Sequence, residues 1–132
     1  MIVPFEMKHL DEIELIPEHR KVLDAARAAF TWLFGVGRAT TCKAADGTVL
    51  FVGGLGCVPQ PEIFLFPSAR ARRYAKEFWR GIRAETQRAR EAFPGVQAFE
   101  APPFKLGSYF RHLGFAGFDP AVRAGVEGRV WV

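Results

Sequence analysis

The spacing of hydrophobic and polar positions changes several times along the chain, and each change predicts a new element. Ile2–Phe5 is a short apolar run of the kind found in strands. From Lys8 to Phe34 the apolar residues recur at helical spacing, interrupted at Pro17, which cannot continue a helix. We therefore expect a strand and two helices, the second ended by Gly35 and Gly37. The apolar face of this second helix is formed by Val22, Ala25, Ala26, Ala29, Phe30 and Leu33.

A β region follows the two helices. Arg38–Ala44 and Thr48–Val58 flank the dipeptide Asp46-Gly47, which tolerates the positive φ of a tight hairpin turn. After two prolines, Ile63–Phe66 is a continuous apolar run, which is typical of a strand covered on both faces. We expect this run to be a central strand of the sheet.

Residues 69–93 form the longest amphipathic segment. At 100° per residue, one set of side chains falls within a single apolar arc, and most of the basic residues fall outside it. The arc contains Ala71, Tyr74, Ala75, Phe78, Ile82, Ala89 and Phe93, together with Glu85, and the basic face contains Arg72, Arg73, Lys76, Arg80, Arg83 and Arg90. This pattern predicts a long helix that lies on the sheet with its basic face toward solvent.

Further elements follow the Pro94-Gly95 stop. Val96–Phe99 is an extended run, Leu106–Leu113 a short helix ended by Gly114, and Val126–Val132 a last strand. The order of elements predicts an α/β fold, a mixed sheet covered by helices, in one domain over residues 1–132.

Composition and charge narrow the class of protein. With 132 residues, 49% hydrophobic and 24% charged, the chain is neither disordered nor fibrous. Its N-terminal region has neither a signal peptide nor a membrane-spanning run, so we expect a cytoplasmic protein with Cys42 and Cys57 reduced. The net charge of +4 arises in one segment, since Ser68–Glu91 has eight basic residues and three acidic ones.

Two local motifs, together with the order of elements, carry a resemblance to a known family. The stretch Asp46–Leu55 is similar to a strand hairpin of the GNAT superfamily of acyl-CoA-dependent N-acetyltransferases. Tyr109–Phe115 resembles the aromatic-x-x-x-Gly-Phe end of that family's last conserved helix. The resemblance extends to a divergent branch found in tailed bacteriophages. It implies a mixed, mostly antiparallel sheet flanked by helices, and acetyl-CoA and an amine as substrates.

The resemblance also places the cofactor loop between the central strand and the long helix. In the family a glycine-rich loop there directs backbone N–H groups at the diphosphate of coenzyme A. Here Pro67–Arg73 stands in its place, with Ala71 and Arg73 at two glycine positions. The implied cofactor-binding residues are Phe66, Ser68, Arg70, Ala71, Arg72 and Arg73. The alternative is an ordinary helix that begins at Ser68 and Ala69, with Ser68 as its N-cap.

The candidate catalytic residues are Glu62, Glu100 and Tyr109. The family tyrosine that protonates the departing thiolate corresponds to Phe110, which has no proton to donate, so the neighbouring Tyr109 is the candidate acid if the helix register differs. On the other interpretation Tyr109 and Phe110 are packing aromatics. A general base is expected from a carboxylate at the end of a central strand, where Glu62 and Glu100 lie; each is also an ordinary strand-end carboxylate on the other interpretation. No metal site is expected, because the three histidines share no ligand spacing.

Three functions are compatible with these residues. The first is an acetyl-CoA-dependent N-acetyltransferase with a degenerate cofactor loop. The second is a non-catalytic virion or host-interaction protein of phage type, located in the host cytoplasm or the virion, that keeps the fold. The third, nucleic-acid binding by the basic helix, is the least favoured because basic residues on a helix are commonly just solvated.

Overall fold

One mixed sheet of seven strands organises the computed structural model, which describes residues 1–25, 27, 38–56, 60–102, 104–123 and 125–132. The strands are β1 (Ile2–Pro4), β2 (Arg38–Lys43), β3 (Val49–Gly56), β4 (Glu62–Pro67), β5 (Gln97–Glu100), β6 (Phe118–Arg123) and β7 (Val126–Trp131). The helices in the described part are α1 (Lys8–Glu12), α2 (Pro17–Ala25), α3 (Ala75–Ala92) and α4 (Gly107–His112), with a 3₁₀ turn at Ala71–Tyr74 before α3. The strand order is β1-β2-β3-β4-β5-β7-β6. The α/β class and the mostly antiparallel sheet are therefore confirmed.

The hairpin predicted at Asp46-Gly47 joins β2 to β3. Gly47 has a φ of +87°, a backbone conformation that residues other than glycine rarely adopt. Asp46 closes the turn by accepting the Thr48 N–H at 2.9 Å and the Tyr74 hydroxyl at 2.6 Å. These two hydrogen bonds to its charged form lower the pKa of Asp46 to about 2.

Strand β4 is the fourth of the seven strands, as its apolar run predicted. It pairs antiparallel with β3 along its whole length, and parallel with β5 at only two positions, Glu62 with Gln97 and Ile63 with Ala98. This is the one parallel pair described in the sheet. Beyond Ile63 and Ala98 the two strands share no ladder, so their C-terminal ends border an opening.

Helix α3 covers one face of the sheet through the predicted apolar arc. Phe78 and Ile82 are buried, and the Phe78 ring meets Phe51 of β3 edge to face at 5.6 Å. The helix runs without a break through Gly81, where an added Cβ would lie 2.8 Å from the sulfur of Cys42. Glycine at position 81 thus allows α3 to approach the sheet closely.

The two ends of the long helix differ from the prediction. The α-helix begins at Ala75 and not near Ala69, because a turn and the 3₁₀ segment come first. Ala75 and Phe93, both assigned to the apolar arc, are exposed, so only the middle of the arc is buried.

The N-terminal helices are also partly different from the prediction. The break at Pro17 is confirmed as the boundary between α1 and α2. The buried residue of α2 is Leu23, whereas Ala25 is exposed, so the apolar face of this helix is turned relative to the predicted one. The predicted positions Ala26, Ala29, Phe30 and Leu33, the two glycines after them, and Cys57 lie outside the described residues.

Strand β6 was not predicted. It pairs with β7 along its full length at the edge of the sheet, and most of its side chains are exposed. Its residues include Asp119 and Pro120, which interrupt any apolar alternation. Proline is tolerated there because an edge strand has a row of N–H groups that need no partner.

Candidate functional site

A groove lies at the C-terminal ends of β4 and β5, where the two strands no longer pair. Its volume is about 630 Å³. The β4–α3 loop forms one wall, α4 and the residues before it form a second, and the start of α2 forms a third. The lining residues are Ile16, Glu18, His19, Pro67, Ser68, Ala69, Ala71, Arg72, Lys105, Leu106 and Tyr109.

An aromatic stack closes part of the opening from within. Phe104, in the segment between β5 and α4, packs against Phe66 with ring centres 5.2 Å apart. The same Phe104 ring stacks on His19 of α2 at 4.1 Å. Phe66, predicted to touch the cofactor, is only 3% exposed and does not line the groove. Phe66 instead supports the Phe104 ring, and Lys105, which follows Phe104 in the sequence, lies at the groove.

The β4–α3 loop satisfies most of its own backbone N–H groups. Ser68 N–H donates to the Leu50 carbonyl at 2.8 Å, and Ala69 N–H donates to the Glu14 carbonyl at 2.7 Å. The N–H groups of Arg70, Ala71 and Arg73 donate within the loop, to acceptors on Ser68 or Arg70. A loop whose amides already have acceptors is not an open anion-binding nest of the family type. The side chains of the loop are therefore the groups left to meet a phosphate.

Ser68 is not the N-cap of an α-helix. It is 6% exposed, accepts the Arg70 N–H at 3.0 Å, and donates its hydroxyl to the Glu14 carbonyl at 3.1 Å. These bonds stabilise a turn that comes before the 3₁₀ segment at Ala71 and the α-helix at Ala75, and they tie the loop to the segment between α1 and α2.

The three loop arginines differ in their partners. Arg70 Nε lies 2.5 Å from the carboxylate of Glu14, so its charge is neutralised locally. Arg72 and Arg73 are exposed, and within the described residues neither has an ion-pair partner. Of these two, Arg72 lines the groove. Arg72 and Lys105 are thus its positive charges, and Glu18 is its negative one.

The two aromatic residues at the start of the Tyr109–Phe115 motif face different surroundings. Phe110 is fully buried against Phe115 and Trp131, so it is a core residue. Tyr109 is partly exposed, lies against Phe78 and Trp79, and lines the groove. Its hydroxyl has no hydrogen-bond partner in the described part of the chain. Tyr109 is therefore the tyrosine on this helix that a bound molecule can reach.

Glu62, one of the two predicted bases, is held in a buried ion pair. Its carboxylate accepts two hydrogen bonds from Arg123 of β6, at 2.7 Å from Nε and 2.8 Å from Nη2. The Glu62 side chain is 1% exposed and that of Arg123 is 16% exposed. The carboxylate raises the pKa of Arg123 above its usual value. Glu62 lies at the N-terminal end of β4, away from the loop that follows Pro67.

Glu100, the other predicted base, is bonded to the protein frame. One carboxylate oxygen accepts the Leu106 N–H just before α4, and the other accepts the Trp131 indole N–H at 3.3 Å. The first donor is a backbone amide and the second is the indole of the buried Trp131. The contacts of Glu100 position α4 and the last strand. They were not predicted, because Trp131 is 31 residues away and the Leu106 N–H reaches the carboxylate only through the turn of the chain after β5.

Sequence reasoning missed several residues around the groove. Lys105, His19 and Glu14 come from three segments that only the tertiary structure brings together. Arg123 was missed because its strand was missed. A weak signal existed for Lys105, which lies between the predicted extended run Val96–Phe99 and the predicted short helix Leu106–Leu113.

Metal and membrane sites are absent from the part of the chain that the structure describes. No group of three His, Cys, Asp or Glu side chains there is arranged to hold a metal ion. No described helix combines the length and the apolar character needed to cross a bilayer.

Several solved structures that resemble this one are described as acetyltransferases. A spermidine N-acetyltransferase SpeG chimera from Vibrio cholerae and hSSAT has a TM-score of 0.58 at 10% identity, over 100% of this chain and 93% of the other. A structure described as histone acetyltransferase HPA2 and related acetyltransferase, from Corynebacterium glutamicum, has a TM-score of 0.56 at 15% identity, over 99% and 94%. An acetyltransferase of the GNAT family from Staphylococcus aureus has a TM-score of 0.53 at 13% identity, over 99% and 96%.

These likenesses establish the fold. The chain has the GNAT acetyltransferase fold over almost its whole length, as the Tyr109–Phe115 and hairpin motifs suggested. No protein-family model and no curated protein sequence matches it.

Proposed function

We propose that this protein binds acetyl-CoA at the opening between β4 and β5 and transfers the acetyl group to an amine. The observation that carries the proposal is the incomplete β4–β5 pairing, which leaves a groove beside the β4–α3 loop and Tyr109. In a fold shared with N-acetyltransferases, this is a cleft in the middle of the sheet with cationic and hydroxyl groups on its walls.

Cofactor binding in this chain depends on side-chain charge more than on backbone amides. The loop amides already donate to protein acceptors, so Arg72 and Lys105 are the groups that can bind the diphosphate. Arg70 joins them only if it leaves Glu14. We therefore expect weak binding of acetyl-CoA that is sensitive to salt.

The proposed chemistry is direct attack of a neutral amine on the thioester carbonyl. The amine nitrogen forms the new C–N bond and gives up its surplus proton to water as the C–S bond breaks. The leaving thiolate takes a proton from the Tyr109 hydroxyl, which solvent then reprotonates, or departs unprotonated at a lower rate. The acceptor must first lose a proton from its ammonium form. Neither predicted base lines the groove: Glu62 lies at the other end of β4 in its ion pair with Arg123, and Glu100 is bonded to a backbone amide and an indole. The ammonium of the acceptor therefore loses its proton to solvent.

Calorimetric titration of acetyl-CoA tests the binding step. The double variant Arg72→Ala/Lys105→Ala should bind about tenfold more weakly than the wild type, the effect of losing a charged hydrogen bond. Arg80→Ala is the matched control, because Arg80 is an exposed arginine of α3 outside the groove and should leave the affinity unchanged.

Turnover with simple primary amines tests the chemical step. Tyr109→Phe should lower the rate by about 100-fold with little change in affinity, because it removes only the proton donor. An acetylation rate in Tyr109→Phe equal to that of the wild type would show that this hydroxyl has no role in the reaction. Absence of acetyl-CoA binding in the wild type would instead favour the non-catalytic, phage-type alternative, in which the protein keeps the fold and binds a protein partner.

A further inference from the structure

A second cavity lies between α3 and the sheet and is separate from the β4–β5 groove. It is lined by residues of β2, β3, β4, α3 and α4 and has a volume of about 70 Å³. Its walls are mainly apolar, with Ile63, Leu65, Ile82, Ala89 and Phe110 among the lining residues. It shares no lining residue with the groove, so a ligand in one does not touch the other.

The cavity is larger than the gaps found in ordinary protein cores. Native interiors contain few voids larger than a water molecule, whose share of liquid volume is about 30 Å³. The sheet cannot fill this space from below, because a Cβ on Gly53 would lie 2.8 Å from the Phe64 carbonyl oxygen. The helix above lines the space with Ile82, Thr86 and the small side chain of Ala89, which leave it open. The space therefore accommodates a group of about two to three carbon atoms.

The mouth of the cavity carries a net positive charge. Arg38, Glu85 and Arg88 lie there. Glu85 is occupied, since it accepts the Thr40 hydroxyl at 3.2 Å and an Arg88 N–H at 3.0 Å. Arg38 is exposed and has no ion-pair partner within the described residues. One guanidinium thus remains unpaired beside an apolar pocket.

We propose that this cavity binds a short-chain monocarboxylate of three or four carbons. Its apolar tail lies between Ile82 and Ala89 of α3 and the sheet, and its carboxylate pairs with Arg38. The match is one of size and charge, an apolar volume of a few carbons next to a single unpaired cation. Because the lining residues are separate from Ser68, Arg72 and Tyr109, the site is independent of the acetyl-CoA proposal.

Titration of the full chain with sodium butanoate, followed by ¹H–¹⁵N NMR, tests the site. Saturable shifts should centre on Gly53 and Ile82. Ala89→Leu fills the cavity and should weaken binding at least about tenfold, whereas Ala84→Leu, on the exposed side of the same helix, should leave it unchanged. Ala92→Leu, at the rim, serves as a second blocking variant if the buried substitution impairs folding.

The charge requirement is tested separately from the shape. Arg38→Gln should weaken butanoate binding about tenfold and leave the binding of the neutral probe 1-butanol unchanged. Equal affinity of the wild type for both probes would overturn recognition of an anion at Arg38. Absence of saturable shifts, shifts centred on Ser68–Arg73, or binding that persists in both cavity-blocking variants would overturn the site itself.

Discussion

At the scale of single residues, His9 shows how burial constrains a titratable side chain. It is fully buried in α1, and its Nδ1 accepts the Glu6 N–H at 3.0 Å and lies 2.7 Å from the Thr41 hydroxyl. A backbone N–H can only donate, so Nδ1 is the unprotonated nitrogen and the neutral ring carries its proton on Nε2. Burial lowers the pKa of His9 below 6.5, and the charge of Lys43 lowers it further.

The stability of the protein should therefore fall as the pH is lowered through 6.5. Below that value the unfolded chain binds a proton at His9 while the folded protein does not, which favours unfolding. One such group contributes a slope of at most about 1.4 kcal/mol per pH unit. Urea unfolding of wild type and His9→Gln between pH 7.5 and 5.5 measures it, and the variant should lack this part of the slope. An equal slope in both proteins would show that His9 is not responsible.

At the scale of elements, α3 follows its sequence periodicity through its middle. The apolar arc points at β3 and the basic positions face solvent, because an amphipathic helix gains most of its stability from burying one face. The basic face is partly engaged in the fold, since Arg83 contacts Trp79 and Arg90 lies over the Phe115 ring. Two of the basic residues, Arg83 and Arg90, therefore also pack against aromatic rings.

Substitutions along α3 should therefore have unequal effects. Phe78→Ala and Ile82→Ala should each lower the free energy of unfolding by about 2–5 kcal/mol, since both side chains are buried over the sheet. Arg80→Ala, on the exposed face, should change it by less than about 0.5 kcal/mol. Denaturant unfolding of the three variants gives the comparison. Similar losses in all three would mean that the buried face has been assigned wrongly.

At the scale of the whole molecule, one buried ion pair joins the centre of the sheet to its edge. Glu62 begins the central strand β4, and Arg123 ends the edge strand β6. Two strands, β5 and β7, lie between β4 and β6 in the sheet, so the pair ties the β6–β7 hairpin to the middle of the fold. Removing one partner of a buried pair leaves the other charge without compensation.

Arg123→Ala should accordingly destabilise the protein by about 3–5 kcal/mol. The double variant Glu62→Gln/Arg123→Met, which removes both charges, should recover much of that loss. Asp11→Ala is a suitable control, because the Asp11–Arg27 pair is more exposed and should contribute less than about 1 kcal/mol. A loss in the double variant as large as in Arg123→Ala would indicate that packing, and not charge, holds the hairpin.

Parts of the candidate site could be predicted from the sequence. The position of the loop after β4 and the burial of Phe110 could be anticipated from the motifs. The acceptors of the loop amides could not, because Leu50 and Glu14 are brought to the loop by separate elements. The same holds for Arg123, which pairs with Glu62 from 61 residues away, and for Trp131, which donates to Glu100 from 31 residues away.

The sequence by itself determined the features that depend on local chemistry. The Asp46-Gly47 turn, the break at Pro17, the central β4 run and the amphipathic middle of α3 follow from backbone preference and periodicity over a few residues. Tertiary structure alone decided the edge strand β6, the divergence of β4 from β5, and which charges are paired. These depend on contacts between segments far apart in the chain, where the free energy comes from burial and from satisfying buried polar groups, and no local pattern encodes that choice.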